Sequence, residues 1–127
     1  MKEFTLSFGK IFILQDDIAE IIVDDMIEMD LVMVEEYHEF LLSHLTPPFS
    51  LLINKKNSYT YTFEAQLELA NLPEINFMAV VAYNYFTQST TKDLIEMPRD
   101  TPWNIQIFAN RASALNWLED KQQSVLL

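Results

Sequence analysis

The sequence contains no cysteine and a single glycine, Gly9, among its 127 residues. Without cysteine the chain has no disulfide, no thiol nucleophile and no thiolate ligand for a metal. With one glycine it cannot supply the glycine-rich loops that bind phosphates, nor the Gly-x-Ser-x-Gly turn that carries the nucleophile of many hydrolases. These two absences exclude several large classes of enzyme.

Long apolar runs are also missing. The longest is FMAVVAY, residues 77–83, which has seven residues, whereas a helix that spans a bilayer needs about 20. The first residues, MKEFTLSFGKIFIL, are interrupted by Glu3 and Lys10 and predict two strands, not a signal peptide. We therefore expect a cytoplasmic protein with no transmembrane segment.

Basic residues are scarce. Eight lysines and arginines stand against 19 aspartates and glutamates, which gives a net charge of −11. Residues 1–40 hold eleven of the acidic side chains and two lysines, a net charge of −9. Such a surface repels nucleic-acid backbones and anionic membranes, so we expect no nucleic-acid partner. The excess charge fits a solvated face, or a face that binds a protein partner.

Apolar residues, by contrast, make up 50% of the chain, and 16 residues are aromatic, enough for one packed core. Their spacing predicts strands and helices in alternation. The predicted elements are strands at 3–8, 10–15 and 18–23, a helix from the Asp30 cap to about Leu45, a strand at 49–54, a helix at 63–70, a strand at 76–83, a helix at 90–97, a strand at 104–109 and a helix at 111–121 capped by Asn110.

Strands that alternate with helices imply right-handed crossovers and a largely parallel sheet. We therefore predict an α/β fold: a mixed, mostly parallel sheet with an N-terminal antiparallel hairpin and about four helices, as one domain over residues 1–127. Segment 76–83 is apolar without alternation and predicts the central strand. If helices cover only one face of this sheet, the other is apolar, and a homodimer or an apolar ligand would cover it.

Few residues offer catalytic or metal chemistry. Glu35 and His38 have the spacing of ligands in di-metal helical bundles, but His44, the only other histidine, has no glutamate three residues before it. The four aspartates between positions 16 and 25 fit no EF-hand spacing. We expect no catalytic residue, no metal site and no cofactor, and hence a protein that is not an enzyme.

Two polar and aromatic segments follow predicted strands, where ligands bind in open α/β sheets. The first is INKKNSYTYTF, residues 53–63, and it admits three interpretations. Thr60 or Thr62 caps the next helix, or the segment binds a ligand or partner, or Ser58 is phosphorylated and its phosphate is stabilised by Lys55 or Lys56. The candidate ligand- or partner-binding residues of both segments are Asn57, Ser58, Tyr59, Thr60, Tyr83, Asn84 and Tyr85.

The hairpin start, the alternating remainder, LLINKKNSYTYTF and the ending IFANRASALNWL resemble a STAS-like protein over roughly residues 3–120. This is the anti-sigma-factor-antagonist fold class, whose small bacterial single-domain members also resemble CRAL–TRIO lipid-binding domains. The resemblance implies helices packed mainly on one side of a mixed sheet. It also implies a phosphorylated serine or threonine at Asn57-Ser58-Tyr59-Thr60, where this chain lacks the aspartate and glycine of the family's Asp-Ser-Ser-Gly.

We accordingly expect a binding or regulatory module that acts through a protein partner. One alternative is a carrier or sensor of a small apolar or lipid-like ligand. A second alternative is a phospho-switch antagonist that uses Ser58.

Overall fold

The computed structural model describes residues 1–98 and 103–125, the last of these by its backbone alone. In these residues the chain forms eight strands and four helices. They are β1 Lys2–Leu6, β2 Gly9–Gln15, β3 Ile18–Val23, β4 Glu28–Met29, α1 Leu31–His44, β5 Phe49–Asn54, β6 Thr60–Tyr61, α2 Phe63–Glu68, β7 Ile75–Val81, α3 Tyr85–Ile95, β8 Ile105–Phe108 and α4 Arg111–Val125.

The fold class is confirmed as α/β with a mixed sheet. Six strands pair in the order β1-β2-β3-β5-β7-β8, and β4 pairs separately with β6. The pairs β1–β2 and β2–β3 are antiparallel, and β3, β5, β7 and β8 run parallel. The apolar strand β7 was predicted to be the central strand, but it lies one strand from the edge, between β5 and β8. It is apolar on both sides because both of its faces are covered.

Helices cover both faces of the sheet, unevenly. On one face Val34, Tyr37 and Leu41 of α1 pack with Ala65 of α2 and with Ile11 of the hairpin. On the other face Ala114 and Leu118 of α4 pack against Leu52, Ala79 and Val81. Among the described residues, α4 is therefore the helix that covers the second face, where it lies mainly over β5, β7 and β8.

Local sequence signals explain the ends of the helices. Asp30 accepts a hydrogen bond from the backbone N–H of Met33 at 2.9 Å, Thr62 from Ala65 at 3.2 Å, and Asn110 from Ser113 at 2.9 Å, as predicted. Helix α3 differs from the prediction, because it begins five residues earlier than expected, after the Asn84 cap. Its first two residues are exposed aromatics, so the inward apolar pattern begins only later.

A buried amide fixes α4 to the start of β5. Gln122 is 2% exposed, and its Nε2 donates to the carbonyl oxygen of Pro48 at 2.7 Å and to Asp17 Oδ2 at 2.9 Å. Its Oε1 accepts a hydrogen bond from the hydroxyl of Ser50. Because every polar atom of this side chain is bonded, its burial costs little. Among the described residues no helix has the length and apolar character to cross a membrane.

Gly9 begins β2 where the chain turns from β1, opposite Leu6 and Val23. A Cβ atom at this position would lie 2.9 Å from Cα of Val23 and closer still to the carbonyl oxygen of Ile22. Real Cβ atoms do not approach backbone atoms so closely, so a side chain here would push β2 from β3.

We predict that Gly9→Ala lowers the free energy of unfolding by about 2–3 kcal/mol, measured by urea denaturation. Thr5→Ala, on the exposed face of β1, is the control and should cost less than about 1 kcal/mol. Equal stability of Gly9→Ala and the wild type would show that the strands separate freely at this point.

Candidate functional site

Four loops meet at one edge of the sheet. Because β3, β5, β7 and β8 are parallel, their carboxyl ends lie side by side, and each is followed by a loop. These loops comprise residues 24–27, 55–59, 82–84 and 109–110. The structure thus brings the two segments of candidate residues to a common edge.

The loop after β5 is tied closely to the loop after β3. Asn57 Nδ2 donates to the carbonyl oxygen of Val23 at 2.9 Å, and Ser58 N–H donates to Asp25 Oδ1 at 2.9 Å. In return, Met26 N–H donates to the carbonyl oxygen of Ser58 at 2.7 Å. The short pair β4–β6 continues this contact. The polar side chains Asn57 and Ser58 therefore shape the loop, and Thr62 caps α2.

This arrangement holds two tyrosines over a cavity on the face of α1, α2 and α3. The cavity has a volume of about 40 Å³. Thirteen of its eighteen lining residues are apolar. We refer to this space as the Lys55 cavity. Its lining residues are Phe8, Ile21, Val23, Met29, Tyr37, Ile53, Lys55, Tyr59, Tyr61, Leu69, Ala70, Met78, Val80, Thr91, Leu94, Ile95, Trp103 and Ile105.

Four of the five polar lining residues supply one amine and three phenols; the fifth is Thr91, whose hydroxyl donates to the carbonyl oxygen of Thr87 at 2.7 Å. Lys55 Nζ lies 5.6 Å from the ring centroid of Tyr59 and 5.7 Å from that of Tyr61, within range of a cation–π interaction. The Tyr61 hydroxyl donates to the Tyr59 hydroxyl at 3.3 Å. The third phenol, Tyr37 of α1, is 4% exposed.

Burial shifts the pKa of each of these groups in the direction that favours its neutral form. Burial lowers the pKa of Lys55 to about 8. Burial likewise raises the pKa of Tyr61 to about 12, against the hydrogen bond with Tyr59. The pKa values of Tyr37 and Tyr59 are raised by burial and by the neighbouring phenols. The cluster therefore presents neutral hydroxyl donors beside an amine that exchanges its proton near physiological pH.

A second polar cluster lies at the same edge but on the face of α4. The Tyr83 hydroxyl donates to Asn54 Oδ1 at 2.9 Å, and Asn54 Nδ2 donates to Glu20 Oε2 at 2.9 Å. Arg111, the first residue of α4, donates to Glu20 from Nη2 to Oε1 at 2.7 Å and from Nε to Oε2 at 3.0 Å. We refer to Glu20, Asn54, Tyr83 and Arg111 as the Glu20 cluster. Their hydrogen-bonding groups are partnered with one another, which is typical of a structural ion pair.

The candidate residues are therefore divided between two faces of the sheet. Of the residues predicted from the sequence, Tyr59 alone lines the Lys55 cavity, while Tyr83 belongs to the Glu20 cluster. Asn84 caps α3, Thr60 of β6 pairs with Glu28 of β4, and Tyr85 is exposed. Period-two alternation explains this division, because Ile53 and Lys55 face the cavity whereas Asn54 faces α4.

Ser58 is exposed, and the nearest charged group bonded to it is the carboxylate of Asp25, which accepts its N–H. A phosphate on Ser58 would meet this negative charge, although Lys55 and Lys56 follow the same strand. Phosphorylation of Ser58 stays a prediction.

The candidate metal pair is not assembled. His38 Nε2 accepts the backbone N–H of Ala70 at 3.2 Å, and burial lowers the pKa of this imidazole, opposed by the charge of Glu68. Glu35 is exposed on α1. Within residues 1–98 and 103–125 no group of three or more histidine, aspartate or glutamate side chains is placed to hold a metal ion.

Sequence reasoning missed Lys55, Tyr61 and Tyr37 as members of one site. The alternation of β5 contains a signal for Lys55, since the residue two positions after the inward Ile53 faces the same side. The three- and four-residue spacing of Val34, Tyr37 and Leu41 predicts an apolar stripe on α1, and these residues are buried, but a stripe does not reveal that Tyr37 lines a cavity. Comparisons of the chain with protein-family models, with curated proteins and with solved structures find no match.

Glu20 supplies a pH dependence with a definite sign. Burial by itself would raise the pKa of this carboxyl, but hydrogen bonds from Arg111 and Asn54, together with the charges of Arg111 and Lys56, outweigh burial and lower it. A carboxylate whose pKa is lower in the folded state stabilises the fold above its ordinary pKa of about 4.3 and loses that effect as the pH falls through the lowered value.

We predict that Arg111→Met lowers the free energy of unfolding by about 1–2 kcal/mol at pH 7, because Glu20 loses its charged donors. The difference from the wild type should shrink as the pH falls below the ordinary carboxyl pKa of about 4.3 toward the lowered pKa of Glu20. Urea denaturation at pH 7 and at successively lower pH values measures it. Lys10→Met, which removes a pair with Glu3 between half-exposed side chains, is the control and should cost less than about 1 kcal/mol. A difference that does not depend on pH would contradict this assignment.

Proposed function

We propose that this protein is a non-enzymatic module that binds a small, largely apolar molecule in the Lys55 cavity. One observation carries the proposal: an internal space lined mainly by apolar side chains has its amine and phenols gathered at the loop after β5. Apolar walls with a few convergent polar groups are typical of sites for small ligands. The lack of cysteine favours a cytoplasmic location for this activity.

The size of the cavity limits the ligand. A cavity of about 40 Å³ holds about three waters, at roughly 10–15 Å³ for each. A ligand of roughly three to five non-hydrogen atoms matches that room. A long acyl chain exceeds it, so the proposal narrows the lipid-like alternative to a smaller compound.

Xenon is a suitable probe, since it enters apolar cavities without needing a polar partner. Under xenon pressure we expect methyl NMR shifts at Ile21, Leu69 and Met78, which line the cavity, and none at Leu52 or Leu118 in the opposite core. Equal responses of the two cores, or no response at all, would contradict the proposal.

Two adjacent valines give a matched pair of variants. Val80 lines the cavity, whereas Val81 packs in the core under α4. We predict that Val80→Leu reduces the xenon shifts by at least half and changes stability by less than about 1 kcal/mol, because the added methylene enters free space. Val81→Leu should keep the xenon shifts and cost about 1–3 kcal/mol through overpacking. If Val81→Leu reduced the xenon shifts and Val80→Leu did not, the free space would lie under α4, and the proposal would be contradicted.

A protein-binding module is the second candidate, favoured by apolar side chains exposed around the same edge. Tyr85 is 84% exposed and Phe86 75%, at the start of α3, and Met26 of the neighbouring loop is 86% exposed. Exposed apolar residues grouped in one region are typical of interaction surfaces. The STAS-like resemblance supports this candidate, and it stays a prediction. A homodimer through the sheet face is less favoured, since α4 packs on that face.

Native mass spectrometry of the freshly purified protein tests the second candidate. We expect the wild type to retain a second chain, whether another copy or a different protein, and Tyr85→Ser/Phe86→Ser to lose it, because the substitutions remove the apolar surface. The control is Leu42→Ser, which changes an exposed residue near the C-terminal end of α1. This variant should retain the second chain. A bare monomer for the wild type, or a partner retained by all three proteins, would contradict this function.

A further inference from the structure

Lys55 lacks a counter-charge. The chain has 19 acidic residues, but the ion pairs formed by the described residues are Lys10–Glu3 and Arg111–Glu20. Within 4 Å of Lys55 Nζ no carboxylate of these residues is found, and burial is the cause of its shifted pKa, with no charged partner contributing. An amine in an apolar setting is costly to ionise unless an anion accompanies it.

Hydroxyl donors in the cavity also exceed acceptors. Tyr61 and Tyr59 share one hydrogen bond, which leaves one O–H of the pair unused. The Tyr37 hydroxyl makes no hydrogen bond with the residues that the structure describes. These two O–H donors and the ammonium belong to residues that line the cavity, where they are available to a bound group that only accepts hydrogen bonds.

A carboxylate meets these requirements. It accepts several hydrogen bonds, carries one negative charge and needs few atoms. A phosphate dianion would leave one charge uncompensated against apolar walls, since Lys55 is the one cationic residue of the lining. The remaining room, beside Ile21, Val80 and Leu69, suits a short hydrocarbon tail.

Resting on the proposed function, we propose that the ligand of the Lys55 cavity is a short-chain monocarboxylate, with its carboxylate bound by Lys55 and by the hydroxyls of Tyr37 and the Tyr59–Tyr61 pair. The hydrocarbon tail lies among the apolar side chains contributed by β3, by β7 and by Leu69 and Ala70, which follow α2. The cavity thus distinguishes an acid from the neutral compound of the same shape by the charge that only the acid supplies.

Titration of the full chain with sodium propionate and with propan-1-ol, followed by methyl NMR at pH 6.5 and constant ionic strength, tests this inference. We expect propionate to bind the wild type at least tenfold more tightly than propan-1-ol, with shifts at Ile21 and Leu69. Equal affinities of the acid and the alcohol would overturn the inference, as would shifts limited to residues outside the cavity.

Two neighbouring lysines provide the variants. Lys55→Met should abolish the preference for propionate, while Lys56→Met, which removes an exposed charge from the next residue, should retain it. Lys55→Met should also melt at a higher temperature than the wild type, because it removes an unpaired charge from an apolar site, so its loss of binding is not a loss of fold. An unchanged preference in Lys55→Met would overturn the inference.

Xenon separates this inference from the proposed function. Lys55→Met and Tyr37→Phe should keep the xenon shifts of the wild type, while Tyr37→Phe loses several-fold of the propionate affinity through its missing donor. Xenon binding without a preference for propionate would refute the carboxylate and leave the apolar cavity in place. Absence of the xenon shifts in the wild type would refute the proposed function itself.

Discussion

The parallel alignment of β5 with β3 and β7 is the constraint on which the rest of the structure depends. It places the carboxyl ends of these strands at one edge, so every polar loop that follows them must share that edge. The loops then satisfy one another's backbone groups, as Asn57 and Ser58 do with Val23 and Asp25. Reversal of one strand would send its loop to the far end of the sheet and leave those groups without partners.

Two charged groups at this edge, the buried Glu20 and the half-buried Lys55, show what the fold compensates and what it does not. Glu20 lies under α4, where it accepts a hydrogen bond from Asn54 and forms an ion pair with Arg111, so its negative charge has a positive partner within the chain. Lys55 follows Asn54 directly but points to the other face, where it meets aromatic rings and no carboxylate among the described residues. Adjacent residues at the end of β5 thus differ completely in electrostatic environment, because the alternation of side chains between the two faces continues from Asn54 to Lys55.

Much of the fold could be predicted from local patterns. The stripe of Val34, Tyr37 and Leu41 is buried as its spacing predicts. The caps at Asp30 and Asn110 were predicted because a short polar side chain before an apolar period satisfies the free N–H groups of a helix start. The two short strands β4 and β6, which pair with each other, were not predicted, since two residues are too few to show alternation.

The site was only partly predictable, for a physical reason. Tyr59 was a candidate because it follows a core strand, and it does line the cavity. Tyr83 was a candidate for the same reason and lies on the opposite face, in the Glu20 cluster. Position after a strand predicts the edge of the sheet, but the face depends on the pleat and on which helix packs there.

By itself the sequence determined the alternation of strands and helices, the helix caps and the absence of thiol and glycine-loop chemistry, because each of these depends on residues close together in the chain or on composition alone. Tertiary structure decided the order of the strands, the covering of the second face by α4, and the meeting of Lys55 with Tyr37, Tyr59 and Tyr61. A cavity is the space that packing leaves between distant segments, and no local pattern encodes that space.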